Sequence, residues 1–219
     1  MKLLAFDTAG KAATVALLTE KNCFLISDCL ESKHAKVLLP LIDKVLAQSG
    51  LSLPEVDVIA YGCGPGSFTG LRIAAAVAQG LSFSLDKPVV AVSNLAAAAH
   101  YAYRNHQVQK ATVCIDARMN EVYWGNYTVE GIGKIKPVGQ EHLSAPAEVV
   151  LPAADWSKVG AGWLLLNERA TDKIDEFLLA EDIAYIAKNN FTAGIYKGSE
   201  QVQPVYLRNQ VVFQHGKDK

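Results

Sequence analysis

The chain has 219 residues, half of them hydrophobic and a fifth charged, and its 21 basic and 22 acidic side chains leave a net charge of −1. That length suits one large domain or two small lobes, and the composition is that of a globular protein with a sizeable core. Both charge signs are scattered without long runs, so no electrostatic footprint for nucleic acid stands out and direct RNA or DNA binding is not expected.

The start, Met1-Lys2-Leu3-Leu4-Ala5-Phe6-Asp7, meets an acid after four apolar positions, too few for the apolar core of a signal peptide. The most apolar stretch, Ile73 to Leu85, is interrupted by Gln79, Ser82 and Ser84. It is shorter than the ~20 residues that span a bilayer. A cytoplasmic protein is expected. Cys23, Cys29, Cys63 and Cys114 lie in or beside strand-like runs at no metal-ligand spacing, and all four are expected to be reduced and buried.

Three short apolar runs, residues 2–7, 13–19 and 23–30, are separated by Gly, Lys and Asn turns and predict an antiparallel meander. His34 to Ser49 follows helical period. Val56 to Tyr61 predicts a buried strand, Thr69 to Leu85 a helix, Val89 to Val92 a strand and Asn94 to Tyr103 an alanine-rich helix. This succession argues an α/β lobe, a mixed sheet covered on both faces. The polar run Arg104-Asn105-His106-Gln107 marks a boundary, dividing the chain into an N-terminal lobe, 1–105, and a smaller C-terminal lobe, 106–219. Beyond it, Thr112-Val113-Cys114-Ile115-Asp116 repeats the plan of Leu3 to Asp7 at an offset of 109 residues, and a strand from Val122 to Val129 follows. Two lobes built on one theme are the consequence. A short helix at Pro146 to Val150, a longer one at Leu165 to Leu179, and another at Ala180 to Lys188 complete the expectation.

The densest signal is Gly62-Cys63-Gly64-Pro65-Gly66-Ser67-Phe68-Thr69-Gly70-Leu71-Arg72, four glycines running into a helix start. Such a loop can hold phosphate on helix N–H groups, or be a tight turn between a buried strand and a buried helix. A Walker loop needs Lys after the second glycine, and Thr69 and Leu71 occupy the positions five beyond Gly64 and Gly66. A dinucleotide fingerprint needs a third glycine where Ser67 and Thr69 stand, and a nucleophile elbow at Ser67 needs glycines where Pro65 and Thr69 stand. The five histidines have no metal spacing, so no metal site is expected. Asp7 and Asp116, each closing a strand, are the candidates for general chemistry across an interlobe cleft. The alternative reading is carboxylates accepting turn N–H bonds.

The helix beginning at Thr69 carries almost no polar face and is expected to be buried on all sides. The helix from His34 has an apolar stripe broader than one sheet face needs. A second lobe or another chain must cover them.

At Gly64-Pro65-Gly66-Ser67-Phe68-Thr69-Gly70-Leu71-Arg72 the sequence resembles the TsaB (YeaZ) family of tRNA threonylcarbamoyladenosine biosynthesis proteins. It is similar also at Asp7-Thr8, at Ser32-Lys33-His34 with Leu38-Leu39-Pro40-Leu41-Ile42, at Asp116 to Tyr123, and at Pro204-Val205-Tyr206-Leu207-Arg208. The resemblance implies a two-lobed actin/Hsp70-like (ASKHA) α/β fold. It implies a non-catalytic partner of TsaD, the subunit that transfers threonylcarbamoyl to an adenosine beside the tRNA anticodon, with TsaE, an ATPase, in the same assembly and homodimers when alone. In TsaD two histidines after the glycine helix bind metal; the matching positions here are Asn94 and Ala98. The interface implied is Val37, Leu38, Leu41, Ile42 and Val45 on one helix and Ala74, Val77, Ala78 and Leu81 on the other. Asp7, Thr8, Gly64, Gly66, Ser67 and Asp116 would form a vestigial nucleotide site. No cofactor is required by this reading, and Val159-Gly160-Ala161-Gly162, which resembles an adenine-packing glycine turn, leaves ATP or ADP binding open. The competing reading is a small actin-like nucleotide-hydrolysing or kinase-like enzyme using Asp7 and Asp116.

Overall fold

The computed structural model describes residues 1–29, 34–166 and 179–208, with only the backbone for His34 and Ala35. The chain opens as an antiparallel meander, β1 (Leu3–Asp7), β2 (Ala12–Leu18) and β3 (Cys23–Cys29). Then come α1 (His34–Ser49), β4 (Val58–Gly64), α2 (Phe68–Leu85), β5 (Val89–Ser93) and α3 (Asn94–His106). The first sheet has the order β3-β2-β1-β4-β5, with β4 parallel to both β1 and β5. β1 is buried throughout because its residues alternate between two covered faces. Leu4 and Phe6 face a core shared with α1 and α2, while Leu3 and Ala5 face one shared with α3.

The second half comprises β6 (Lys110–Arg118), β7 (Glu121–Gly131), β8 (Lys134–Pro137), β9 (His142–Ser144), β10 (Ser157–Val159) and α4 (Ala180–Thr192). Its sheet order is β10-β6-β7-β8, and β9 also pairs with β7. β6 pairs antiparallel with β7 and parallel with β10, as β1 does with β2 and β4. The repeated plan expected from Asp7 and Asp116 is therefore present, with no counterpart of β5 among the described residues. This duplication gives an α/β fold of two mixed sheets built on one plan. Pro146–Glu148 and Ala161–Leu166 are 3-10 turns; of the helix expected over Leu165 to Leu179 only Leu165, Leu166 and Leu179 are described, and 167–178 lie outside the described residues.

The lobe boundary needs correction. Position 105 falls inside the last turn of α3, which Gln107 ends in the left-handed region. The segment after 179 also returns to the first lobe. α4 packs on β1, β2, β4 and β5, so α3 and α4 together fill the space between the sheets, and one apolar core draws on both. A buried polar clamp ties the layers. His100 Nε2 accepts the Gly133 N–H at 2.7 Å, so its Nδ1 carries the proton and donates to Asp182 at 2.6 Å. Arg104 from α3 adds a two-pronged contact to the same carboxylate, at 3.1 and 3.0 Å, and reaches Glu181.

Burial of the cysteines also differs from expectation. All four are free, and Cys63 and Cys114 are buried, but Cys23 is half-buried and Cys29 is exposed at the end of the edge strand β3. Burial pushes the thiols of Cys23, Cys63 and Cys114 up to about 12, which keeps them protonated.

Candidate functional site

Strand β4 runs on through Gly62, Cys63 and Gly64, so the turn proper is Pro65, Gly66 and the Ser67 cap of α2. Three of the four glycines face the Asp7–Ala9 segment and the fourth faces Val205. A Cβ on Gly62 would land on the Asp7 carboxylate, and one on Gly70 on the Thr8 carbonyl oxygen. At Gly66 it would lie 2.7 Å from Ala9 Cβ, and at Gly64, whose φ is +126°, 2.5 Å from the Val205 carbonyl oxygen. The turn, the Asp7–Ala9 segment and Val205 converge here because none of these glycine positions has a side chain.

Three of the backbone donors around this turn are taken by the chain. Ser67 N–H donates to Ala9 carbonyl at 3.0 Å, Gly64 N–H to Asn94 Oδ1 at 2.8 Å, and Gly70 N–H to Ser67 Oγ at 3.4 Å. Thr8 hydroxyl donates to the Gly70 carbonyl at 2.7 Å, pinning the β1–β2 turn to the first turn of α2. Asn94, at the start of α3, donates to Asp7 Oδ1 at 2.7 Å and so joins Asp7 to the glycine turn. Burial pushes the Asp7 carboxyl up, against the pull of Asn94 and of the backbone N–H groups of Ala9, Thr8 and Gly10.

Asp7, Thr8, Gly64, Gly66 and Ser67 are thus gathered in one place, but Asp116 is not part of it. It accepts from the Arg118 backbone at 2.7 Å and from its guanidinium at 3.2 Å, within its own hairpin. Among the described residues Asp7 and Asp116 share no partner. Both carboxylates accept local turn N–H groups, the reading set against general chemistry above. The second glycine turn follows β10: Gly160, at φ +97°, and Gly162 press against Cys114, and Trp163 is buried with its indole N–H 3.2 Å from the Thr112 carbonyl. No group of three or more metal-ligating side chains occurs among the described residues.

The expected interface residues divide into two sets. Leu38, Leu41, Ile42 and Val45 of α1 and Ala74 and Ala78 of α2 are enclosed by the first lobe itself, which corrects the expectation that they meet a partner. Val37, Val77 and Leu81 are half-buried. Nor is α2 buried on all sides. Leu71, Ala74, Ala75, Ala78 and Ser82 form its inward stripe. Ile73, Ala76, Val77, Gly80 and Leu81, at i, i+3, i+4, i+7 and i+8, form a second apolar stripe that turns outward. Phe83, 80% exposed, stands beside it. A helix with two apolar faces looks uniformly apolar in sequence, and only packing shows which face the lobe leaves open.

A family model for TsaD, tRNA N6-adenosine threonylcarbamoyltransferase, matches residues 28–203. The TsaB protein of Haemophilus influenzae is 35% identical over 97% of this chain and 96% of its own length. That of Escherichia coli is 35% identical over 97% of each. The chain belongs to the TsaB family. The solved structure of YeaZ from Pseudomonas aeruginosa agrees, with 40% identity, a TM-score of 0.88 and coverage of 94% of this chain and 99% of that one.

Sequence reasoning missed several residues of this TsaB-family site. Asn94 was singled out only as a replaced ligand, yet it is the hub between Asp7 and Gly64. A polar residue opening a helix directly after a buried strand was the available signal. Tyr206 and Val205 reach the turn from the far end of the chain, a contact no local pattern announces: Val205 N–H donates to the Cys63 carbonyl at 2.7 Å.

Proposed function

We propose that this TsaB-family chain is a non-catalytic partner subunit in forming threonylcarbamoyladenosine next to the anticodon of tRNAs, docking a TsaD-type subunit through the outward face of α2. The names of the TsaB relatives and the TsaD-type family match support the pathway. The observation that carries the docking role is the outward apolar stripe of α2 with Phe83 beside it. Burying an aromatic side chain of this kind stabilises a complex by roughly 1.5–3 kcal/mol, and Ala76 and Gly80 let a second helix approach closely. Without TsaD the same face pairs with a second copy, and TsaE joins the full assembly.

The non-catalytic part of the reading is supported by the glycine turn, whose N–H groups at Gly64, Ser67 and Gly70 bond to the chain itself. Asn94 and Ala98 stand where the resemblance implies histidine ligands in TsaD. Asn94 is engaged with Asp7, and Ala98 is wholly enclosed in the interlobe core. Depletion of the chain is expected to remove threonylcarbamoyladenosine from tRNA, and an Asp7→Asn/Asp116→Asn double variant to restore it. A double variant that folds and binds the partner yet restores nothing would instead favour an enzyme acting through those carboxylates.

A further inference from the structure

Arg72 opens the second turn of α2, at the head of a line with Ala76 and Gly80 along the outward face. Its guanidinium carbon sits 3.8 Å from the centre of the Phe68 ring, and its Nε donates to the Tyr206 hydroxyl at 3.0 Å. Phe68 and Tyr206 are themselves in ring contact, with centroids 5.1 Å apart. Tyr206 is held in turn by its neighbours: Val205 N–H bonds to the Cys63 carbonyl, and Arg208 reaches the Ala117 carbonyl and Glu121 across the lobes. The side chain is therefore fixed from both sides although it is exposed.

Among the described residues, the two Nη groups of Arg72 have no partner. The first turn of α2 holds no acidic residue, so a cation sits at the positive end of a helix with no compensating charge on its own element. A fixed guanidinium with its fork open presents parallel donors suited to a carboxylate.

Building on the docking role above, we propose that Phe68, Arg72 and Tyr206 form a preorganised receptor for one carboxylate side chain of the docking subunit, and that this pair sets the register along the α2 face. The apolar stripe has little directional chemistry of its own, because small and aliphatic side chains allow sliding. One two-pronged ion pair at its end removes that freedom. Continuity of Arg72 with an apolar helix face favours a protein carboxylate over the phosphates of an RNA.

The experiment measures binding of the full chain to the purified TsaD-type subunit for wild type, Arg72→Ala, Arg72→Lys, Tyr206→Phe and Gly80→Arg, with thermal unfolding of each. Arg72→Ala is expected to weaken binding about 30-fold or more. Arg72→Lys should not restore it, since an ammonium lacks the planar fork, and the melting temperatures should be unchanged. Arg72→Glu should be rescued by one acid-to-Arg change on the partner, which a merely structural role would not produce. If Arg72→Ala binds like wild type while Gly80→Arg does not, the receptor is overturned and the docking face stands. If neither variant weakens binding, the docking reading falls as well. Loss of affinity for an anticodon stem-loop RNA, with subunit binding intact, overturns the proposal in favour of RNA phosphates.

Discussion

The two glycine turns are copies of one plan closed in opposite ways. After β4, backbone presses on backbone: Thr8 and Ala9 lie against Gly70 and Gly66, and Val205 against Gly64. After β10, a large side chain does the filling, with Trp163 buried beneath the turn. The first turn also feeds the 18-residue α2, whereas the second leads, among the described residues, into the six-residue 3-10 turn Ala161–Leu166. The helix after the first turn keeps a whole face to spare. The second lobe instead supplies β6 and β7, which brace α3 from behind, and shares one core with the first.

That contrast can be broken at either end. Trp163→Ala should cost about 3–5 kcal/mol, the range for truncating a buried aromatic, and it also strips the Thr112 carbonyl of its donor. Chemical denaturation measures it. Gly70→Ala should cost at or above the upper end of the ~1–3 kcal/mol typical of overpacking, because the added methyl meets a backbone carbonyl that cannot swing aside. Were Gly70→Ala neutral and Trp163→Ala mild, the two closures would not differ as described. Ser67→Ala removes the cap of α2 and should cost about 1 kcal/mol, since its hydrogen bond to Gly70 N–H is long at 3.4 Å.

A pH series sharpens the account of Asp7. Burial raises its native pKa above the 3.8 of an ordinary aspartate, so between those two values the folded chain binds more protons than the unfolded one. This contribution to stability is full below 3.8 and is lost as pH rises through the raised native value. Asp7→Asn has no such titration, so its stability relative to wild type should be greatest at neutral pH and shrink on acidification. A constant difference from pH 7 to pH 3.8 would place the carboxyl in a wetter setting than the one described.

Much of the fold was legible because the signals were local. The meander was marked by turn residues, α1 was bounded at His34 and Ser49 as its period indicated, and the Asp7 and Asp116 strands showed the duplication. What escaped was long-range. The division at 105 missed that α4 returns to the first sheet, because hydrophobic period gives a helix and a face but not the neighbour. The interface expectation failed at Leu38, Leu41, Ile42, Val45, Ala74 and Ala78 for a related reason: the most apolar positions are those a lobe claims for its own core. Residues left on the open face, such as Ala76 and Gly80, are small and carry little weight in any hydrophobic tally.

Gly80 also offers the most direct test. A Cβ there meets nothing within 4 Å, so a side chain would project from the middle of the outward stripe without disturbing the lobe. Binding of Gly80→Arg to the TsaD-type subunit, measured beside its melting temperature, should show an unchanged fold and docking reduced by at least about 100-fold. A Gly80→Arg chain that melts like wild type and binds like wild type would contradict the account, because the face assigned to the partner would then be facing water.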